Sequence, residues 1–348
     1  LTALRIGAAG PKYHVLIGTG GIGSGIFFAL NGNHTLGREE SRSGHFLDRR
    51  DYCKLHIVSH YVRKLVGPLI EVLPSGAVGD DETGRRLVDE MSDVGMGLRY
   101  VQVLPGEQTM FAICLVYPDG GGGNLTVDDS ACARIGPRSV AAAEMDFARY
   151  AGSGLALALP EVPLTARAAL LALGKQYGFT NVASFTSEEI ASGDIADLQQ
   201  IVSLIALNVD EAAALANVSS HGAAGDVVMS ALDVIRARQP ELHVSITAGG
   251  DGSWAWDGLE VYYLPALDVK PVSTAGAGDA HLAGILTGMA AGLGLREAHE
   301  LGVLVAAMSV LSPHTIHAGI DRISLAAFAE SVGVALCPSV RSLIALDG

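Results

Sequence analysis

Short apolar runs bounded by turn residues alternate with longer segments of helical period along most of this chain. Residues 14–17, 69–73, 155–159, 181–184, 201–207 and 242–247 read as buried strands. Residues 51–66, a segment capped by 78–84 and running to about 94, 164–177, the segment opening at Asn208, 225–237, 280–291, 295–311 and 324–332 read as helices. That rhythm predicts a mostly parallel sheet covered by helices on both faces. The pattern changes between 98 and 129, where 98–104, 108–116 and 125–127 follow one another as strands with no helix between them. Pro105-Gly106 and Asp119-Gly120-Gly121-Gly122-Gly123 supply the turns. These residues are expected to form a small antiparallel sheet apart from the main one, as a lid or a homodimer surface. The alternative is an antiparallel extension of the main sheet.

The first strand runs into Gly18-Thr19-Gly20-Gly21-Ile22-Gly23, formally the G-x-G-x-x-G of a dinucleotide-binding unit. Such a unit needs a helix next, then a second strand ending in an acid, within ~30 residues. Residues 24–30 could begin the helix, but 31–44 is polar and broken by glycines, so the crossover is missing. An NAD-dependent oxidoreductase using Gly18, Gly20 and Gly23 is therefore the weaker alternative. His56 and His60 stand four apart on a predicted helix, the spacing of a metal pair. No glutamate follows His56 in the HExxH manner and no third ligand can be placed, so two packed histidines are expected.

Open parallel sheets bind ligands at the carboxyl ends of their strands, and three elements fall there. In Asn208-Val209-Asp210-Glu211 an amide and a carboxylate share one helical face and can converge on a water shell or a Mg²⁺. The same pair also reads as an N-cap Asn with a Glu at N3. Thr247-Ala248-Gly249-Gly250-Asp251-Gly252 is a strand end and a glycine turn whose backbone can approach a nucleotide, or simply a hairpin turn. Thr274-Ala275-Gly276-Ala277-Gly278-Asp279 leads into a helix of small residues. Its uncovered first-turn N–H groups and the positive end of the dipole make an anion site. A carboxylate beside a phosphate cradle is repulsive unless it has a task, and Asp279 is placed to take a proton from an attacking hydroxyl. The plain alternative is a glycine-rich turn whose Asp stabilises the dipole.

Asn208-x-x-Glu211, Thr247-x-Gly249-x-x-Gly252 and Thr274 to Asp279, in that order, resemble the ribokinase-like (PfkB) carbohydrate kinases. Residues 273–281 lie across that family's D-T-x-G-A-G-D-x-F signature. The resemblance extends to Gly79-Asp80-Asp81-x-x-Gly84 and to 109–131 with its Asp119-Gly120. It implies a three-layer α/β/α ribokinase-like fold with a mainly parallel central sheet and a small β-sheet lid. Residues 1–19, 46–97 and 131–348 would form the main domain, and 20–45 and 98–130 the lid. It implies an ATP-dependent sugar kinase acting with Mg²⁺ on a sugar-like small molecule. Asp279 would be the general base, with the amides of Ala275, Gly276, Ala277 and Gly278 as the anion hole. Asn208 and Glu211 would organise Mg²⁺ through water. Thr247, Gly249 and Gly252, with Thr274 and Ala275, would hold the nucleotide. Ser273 replaces the signature's first Asp and His281 its aromatic. Residues 20–25 contain no acid, and 52–60 lack the paired glycines and Asn that family members turn toward sugar hydroxyls. The phosphate end matches and the sugar end does not. That asymmetry fits a kinase with a different acceptor, or a non-catalytic sensor of nucleotide or sugar.

Charge and composition narrow the partners. Twenty-three Lys and Arg against 37 Asp and Glu give a net charge of −14, which argues against a nucleic-acid partner. Cys53, Cys114, Cys132 and Cys337 show no CxxC spacing, as expected of reduced thiols in a cytoplasmic protein. No apolar run approaches the ~20 residues of a membrane span, and no basic segment with an apolar core opens the chain, so neither membrane nor leader is expected.

Overall fold

A computed structural model of the protein describes residues 2–118 and 122–346. Thirteen strands are described: β1 (Val15–Thr19), β2 (Gly23–Leu30), β3 (Gly44–Tyr52), β4 (Glu71–Gly79), β5 (Tyr100–Leu104), β6 (Met110–Val116), β7 (Gly122–Thr126), β8 (Gly154–Ala158), β9 (Thr180–Ala183), β10 (Leu204–Asn208), β11 (His243–Thr247), β12 (Ser253–Trp256) and β13 (Val261–Leu264). Nine of them form one sheet in the order β13-β12-β11-β10-β9-β8-β1-β4-β5, parallel from β5 to β11 and closed by two antiparallel strands.

Both faces of that sheet are buried, as a parallel sheet requires. Leu16, Leu155 and Leu157 point into one core, and Val15, Ile17, Ala156 and Ala158 into the other. The first core is covered by helices α1 (Lys54–Val66) and α2 (Glu82–Asp93) and by two later helices. The second is covered by α3 (Leu164–Gln176) and α4 (Val209–Ala216), among others. The later pair on the first face, α5 (Ala277–Ala290) and α6 (Leu295–Ser309), explains the small residues after Asp279. A Cβ on Gly284 would lie 2.6 Å from the Gly302 Cα, and one on Gly288 would lie 2.9 Å from Ala298. The two helices therefore touch backbone to backbone, which fixes where α5 starts.

The remaining strands form a second sheet, β3-β2-β6-β7. It differs from expectation in three ways. Residues 98–104 do not belong to it: β5 pairs in parallel with β4, from Ser75 opposite Tyr100 to Gly79 opposite Leu104. The crossover helix α2 returns the chain to the main sheet before the small one is built. The small sheet is mixed rather than antiparallel, because β2 and β6 arrive from opposite ends of that βαβ unit and pair in parallel. Its fourth strand, β3, falls where the sequence reads as a polar break and a helix start; α1 begins only at Lys54. Of the expected turn at 119–123, residues 119–121, and Asp119-Gly120 with them, lie outside the described residues.

Strand β2 also removes the dinucleotide reading, since the residues that would have to be helical after Gly23 are extended. Gly18 and Gly20 instead let β1 lie close to its neighbours: Cβ atoms there would sit 2.8 Å from the Leu55 Cδ1 and 2.9 Å from the Leu159 Cβ. His56 and His60 are packed side chains, and burial lowers their pKa values to about 3 and about 4. Among the described residues no group of three or more His, Cys, Asp or Glu side chains could hold a metal ion, and no helix is long and apolar enough to cross a membrane.

The chain leaves β1 toward β4 and β5, then returns to β8 on the other side of β1 and continues outward. That reversal puts a crevice between the carboxyl ends of β1 and β8. Gly20 and Gly21 follow one strand, and Pro160 and Glu161 the other.

Candidate active site

Helix α5 starts from Gly276, its N-cap, held in the left-handed region at φ +77°. A Cβ there would lie 2.8 Å from the Thr315 carbonyl oxygen, so both the conformation and the space demand glycine. The expected donor set narrows. The Ala275 amide donates to the Ser273 hydroxyl at 3.3 Å, and the Ala277 amide to the Thr274 carbonyl at 3.2 Å. The amides of Gly276, Gly278 and Asp279 find no acceptor among the described residues. They are the orphan donors a helix start leaves for an anion.

Asp279, in the first turn, has a side chain only 14% exposed, and its Oδ1 lies 3.4 Å from the Lys54 ammonium. Lys54 is the first residue of α1, and its pKa is held up chiefly by the Asp279 charge. The Lys54 backbone N–H donates to Glu161 Oε2 at 3.2 Å. Glu161 is a non-glycine residue at φ +77°, a conformation costing roughly 1–2 kcal/mol. Burial pushes its carboxyl up to about 7, with the Lys54 charge opposing the rise. Sequence reasoning missed both Lys54 and Glu161. The available signal was Glu161 itself, an acid directly beyond a predicted strand end.

The raised Glu161 pKa has a definite sign in stability. A carboxyl whose folded pKa lies above its unfolded value stabilises fully below the unfolded value, and that contribution is lost as pH rises through about 7. Between pH 5 and 8 the wild type should therefore lose stability relative to Glu161→Gln, by up to about 3 kcal/mol. Urea unfolding of both proteins at several pH values reads this directly. Parallel pH profiles would show that Glu161 does not titrate in that range.

On the nucleotide side, the two readings of Asn208 and Glu211 turn out to be one arrangement. The Glu211 amide donates to Asn208 Oδ1 and the Asn208 amide to Glu211 Oε2, both at 2.8 Å, a reciprocal capping box on α4. The second Glu211 oxygen and the Asn208 side-chain N–H₂ have no hydrogen-bond partner among the described residues. Asn208 and Glu211 line a cavity of about 70 Å³ with Lys54, Thr247, Gly278 and Asp279. Burial raises the Glu211 pKa there. One free carboxylate oxygen cannot cage Mg²⁺ directly, but it can accept from the waters of an ion that keeps several and arrives with phosphates, and the amide N–H₂ can donate to a phosphate oxygen. Gly249, at φ +56°, and Gly252, at φ +94°, shape the turn from β11 to β12, where the Ala248 amide donates to the Gly252 carbonyl at 2.9 Å. Thr274 is exposed and Ala275 half-buried on the loop before α5.

His281, in place of the signature aromatic, still acts as a buried ring. It packs edge-on against His299 at 5.3 Å, its Nδ1 is 3.5 Å from the Ser245 hydroxyl, and burial lowers its pKa to about 3. A neutral imidazole replaces the aromatic.

Compared with known proteins, residues 58–321 match the profile described as pfkB family carbohydrate kinase. The chain belongs to this family. Among solved structures, the pfkB-family chain superposes on the ribokinase of Cryptococcus neoformans var. grubii serotype A, in complex with ADP, with a TM-score of 0.75. The two are 19% identical over 91% of this chain and 99% of that one, a likeness that shows the fold. Fructoselysine 6-kinase of Shigella flexneri is 39% identical over 67 residues, 19% of this chain and 26% of the relative. The 1-phosphofructokinase of Haloferax volcanii is 38% identical over 94 residues, 25% and 30% of the respective chains. These matches span less than a third of the curated relatives' length.

Proposed function

We propose that this pfkB-family protein transfers the γ-phosphoryl group of ATP to a hydroxyl of a carbohydrate or related small molecule. The observation that carries the reading is the start of α5, where the Asp279 carboxylate stands beside the free amides of Gly276 and Gly278, within reach of Lys54. Asp279 takes the proton of the acceptor hydroxyl as its oxygen bonds to the γ-phosphorus. The bond from that phosphorus to the bridging oxygen breaks, and ADP leaves with the electron pair. The orphan amides and the Lys54 ammonium face the charge that spreads over the transferring group, the main requirement of phosphoryl transfer. Mg²⁺, organised through water by Glu211 with the Asn208 N–H₂ donating to a phosphate oxygen, would neutralise charge on the nucleotide phosphates. The small sheet β3-β2-β6-β7 would act as a lid that excludes water from the transferring group.

The test is ADP release from the purified chain with ATP, Mg²⁺ and a panel of sugars, polyols, nucleosides and sugar phosphates. Acceptor-dependent ADP release, with the phosphorylated product found by mass spectrometry, is the expected result. ATP binding with no transfer to any acceptor would make the protein a sensor instead.

A further inference from the structure

The acceptor side of the crevice contains an acid that residues 20–25 do not supply. Gly21, Gly23 and Gly25 alternate along the chain, so their faces point the same way. A Cβ on Gly21 would lie 2.3 Å from Glu161 Oε2, one on Gly23 2.8 Å from the Cys53 Sγ, and one on Gly25 3.1 Å from Asp51 Oδ2. The strip of glycines thus runs past two carboxylates, Glu161 at one end and Asp51 at the other. An acidic side chain at Gly23 or Gly25 would be driven into that wall. The carboxylate has in effect moved across to the neighbouring strand, where Asp51 pairs with Gly25.

Asp51 is held firmly. It is 7% exposed, its Oδ1 accepts the Tyr52 amide at 2.8 Å, its Oδ2 lies 3.5 Å from the Cys114 Sγ, and the Thr315 hydroxyl also bonds the carboxylate. Thr315 is the residue against which Gly276 packs, so Asp51 is one side chain away from the anion site. On the other side its charge reaches Glu161, which also feels Asp279 and Lys54. The acids are linked: Glu161 meets Asp279 through Lys54, and Asp51 meets the start of α5 through the Tyr52 amide and Thr315. Lys54 is already in contact with Asp279, and the Arg86 guanidinium donates to the Ser24 hydroxyl beside Asp51. Burial raises the pKa of both Asp51 and Glu161. In their ionised form these carboxylates accept hydrogen bonds from hydroxyls or an ammonium group and repel a dianionic phosphate, while burial opposes that ionisation.

We propose that Asp51 is an acceptor-binding carboxylate, and that the acceptor is an unphosphorylated polyol, neutral or cationic. This rests on the kinase reading above. The decisive measurement compares unphosphorylated sugars, polyols, nucleosides and amino sugars with the matching sugar phosphates, using the full chain. Turnover should favour the unphosphorylated partner by at least 100-fold in kcat/KM. Asp51→Asn should raise the acceptor KM at least tenfold while the KM for ATP stays within twofold. A deoxy acceptor lacking the hydroxyl that Asp51 binds should lose as much with the wild type and nothing further with the variant. Preference for a sugar phosphate would overturn the inference and leave the kinase reading standing. An unchanged acceptor KM in a folded Asp51→Asn would overturn the role of Asp51. No transfer to any acceptor would overturn both readings. If Asp51→Asn does not fold, the comparison of phosphorylated and unphosphorylated acceptors on the wild type still decides the charge class.

Discussion

Replacing Asp279 by Asn should lower kcat by about 10²–10⁴-fold, the range by which a placed general base accelerates a reaction. The amide matches the carboxylate in shape but cannot accept the acceptor's proton. Its neighbours change little: Lys54 loses a partner 3.4 Å away, and its side chain is 39% exposed. The helix start loses an acid worth about 0.3–1 kcal/mol to the dipole, so the fold should survive. The Asn208–Glu211 box and Thr247 do not depend on Asp279 for a hydrogen bond. The KM for ATP should therefore stay within a few-fold. ADP release on the best acceptor, with ATP affinity measured by calorimetry, separates the two effects. Full turnover by the Asn variant would remove Asp279 from the role of base.

The base and the anion site are legible in the amino-acid sequence because they are local. Six consecutive residues across the start of α5, Thr274 to Asp279, set the turn, the orphan amides and the carboxylate together. The contacts of Lys54 with Glu161 and Asp279 are not legible there, because the partners stand 107 and 225 residues apart. Only the crevice between β1 and β8 brings them to one point. The strand rhythm of the main sheet can be read from its continuous apolar runs, since both faces are buried. Sheet membership cannot: nothing in Tyr100–Leu104 distinguishes a main-sheet edge from a lid strand, and the crossover through α2 decides it. Strand β3 escapes sequence reasoning because GHFLDRRDY lies in a sheet much of which faces solvent, so no buried run marks it. For Asn208 and Glu211, the capping and ligand-binding readings look like rivals in the sequence. The geometry needs no choice, since capping uses one oxygen of each side chain and leaves a second polar atom on each of two residues that line the cavity.

Gly276→Ala should reduce both activity and stability, by separate routes that can be measured apart. A methyl group at φ +77° costs roughly 1–2 kcal/mol in the backbone alone. The same Cβ meets the Thr315 carbonyl oxygen at 2.8 Å and the Thr315 Cβ at 3.2 Å, so the Thr315 loop or the N-cap must move. Thr315 is not free to yield. Its hydroxyl engages Asp51 and lies 3.3 Å from the Tyr52 amide, and its carbonyl accepts the Tyr61 hydroxyl at 3.4 Å. The N-cap is the softer partner, and rotating it out of the left-handed region turns the Gly276 N–H away from the anion site. Loss of one such donor costs about 3 kcal/mol in the transition state, a 10²–10³-fold fall in kcat. Gly278→Ala provides the contrast. Its φ is ordinary, and the nearest atom to its Cβ is the Thr247 hydroxyl at 3.8 Å, so its melting temperature should not fall. A Gly276→Ala protein with wild-type kcat would show that the left-handed N-cap serves only the close packing against Thr315. A fall in kcat with unchanged melting temperature would show the opposite, a turn kept for the anion alone.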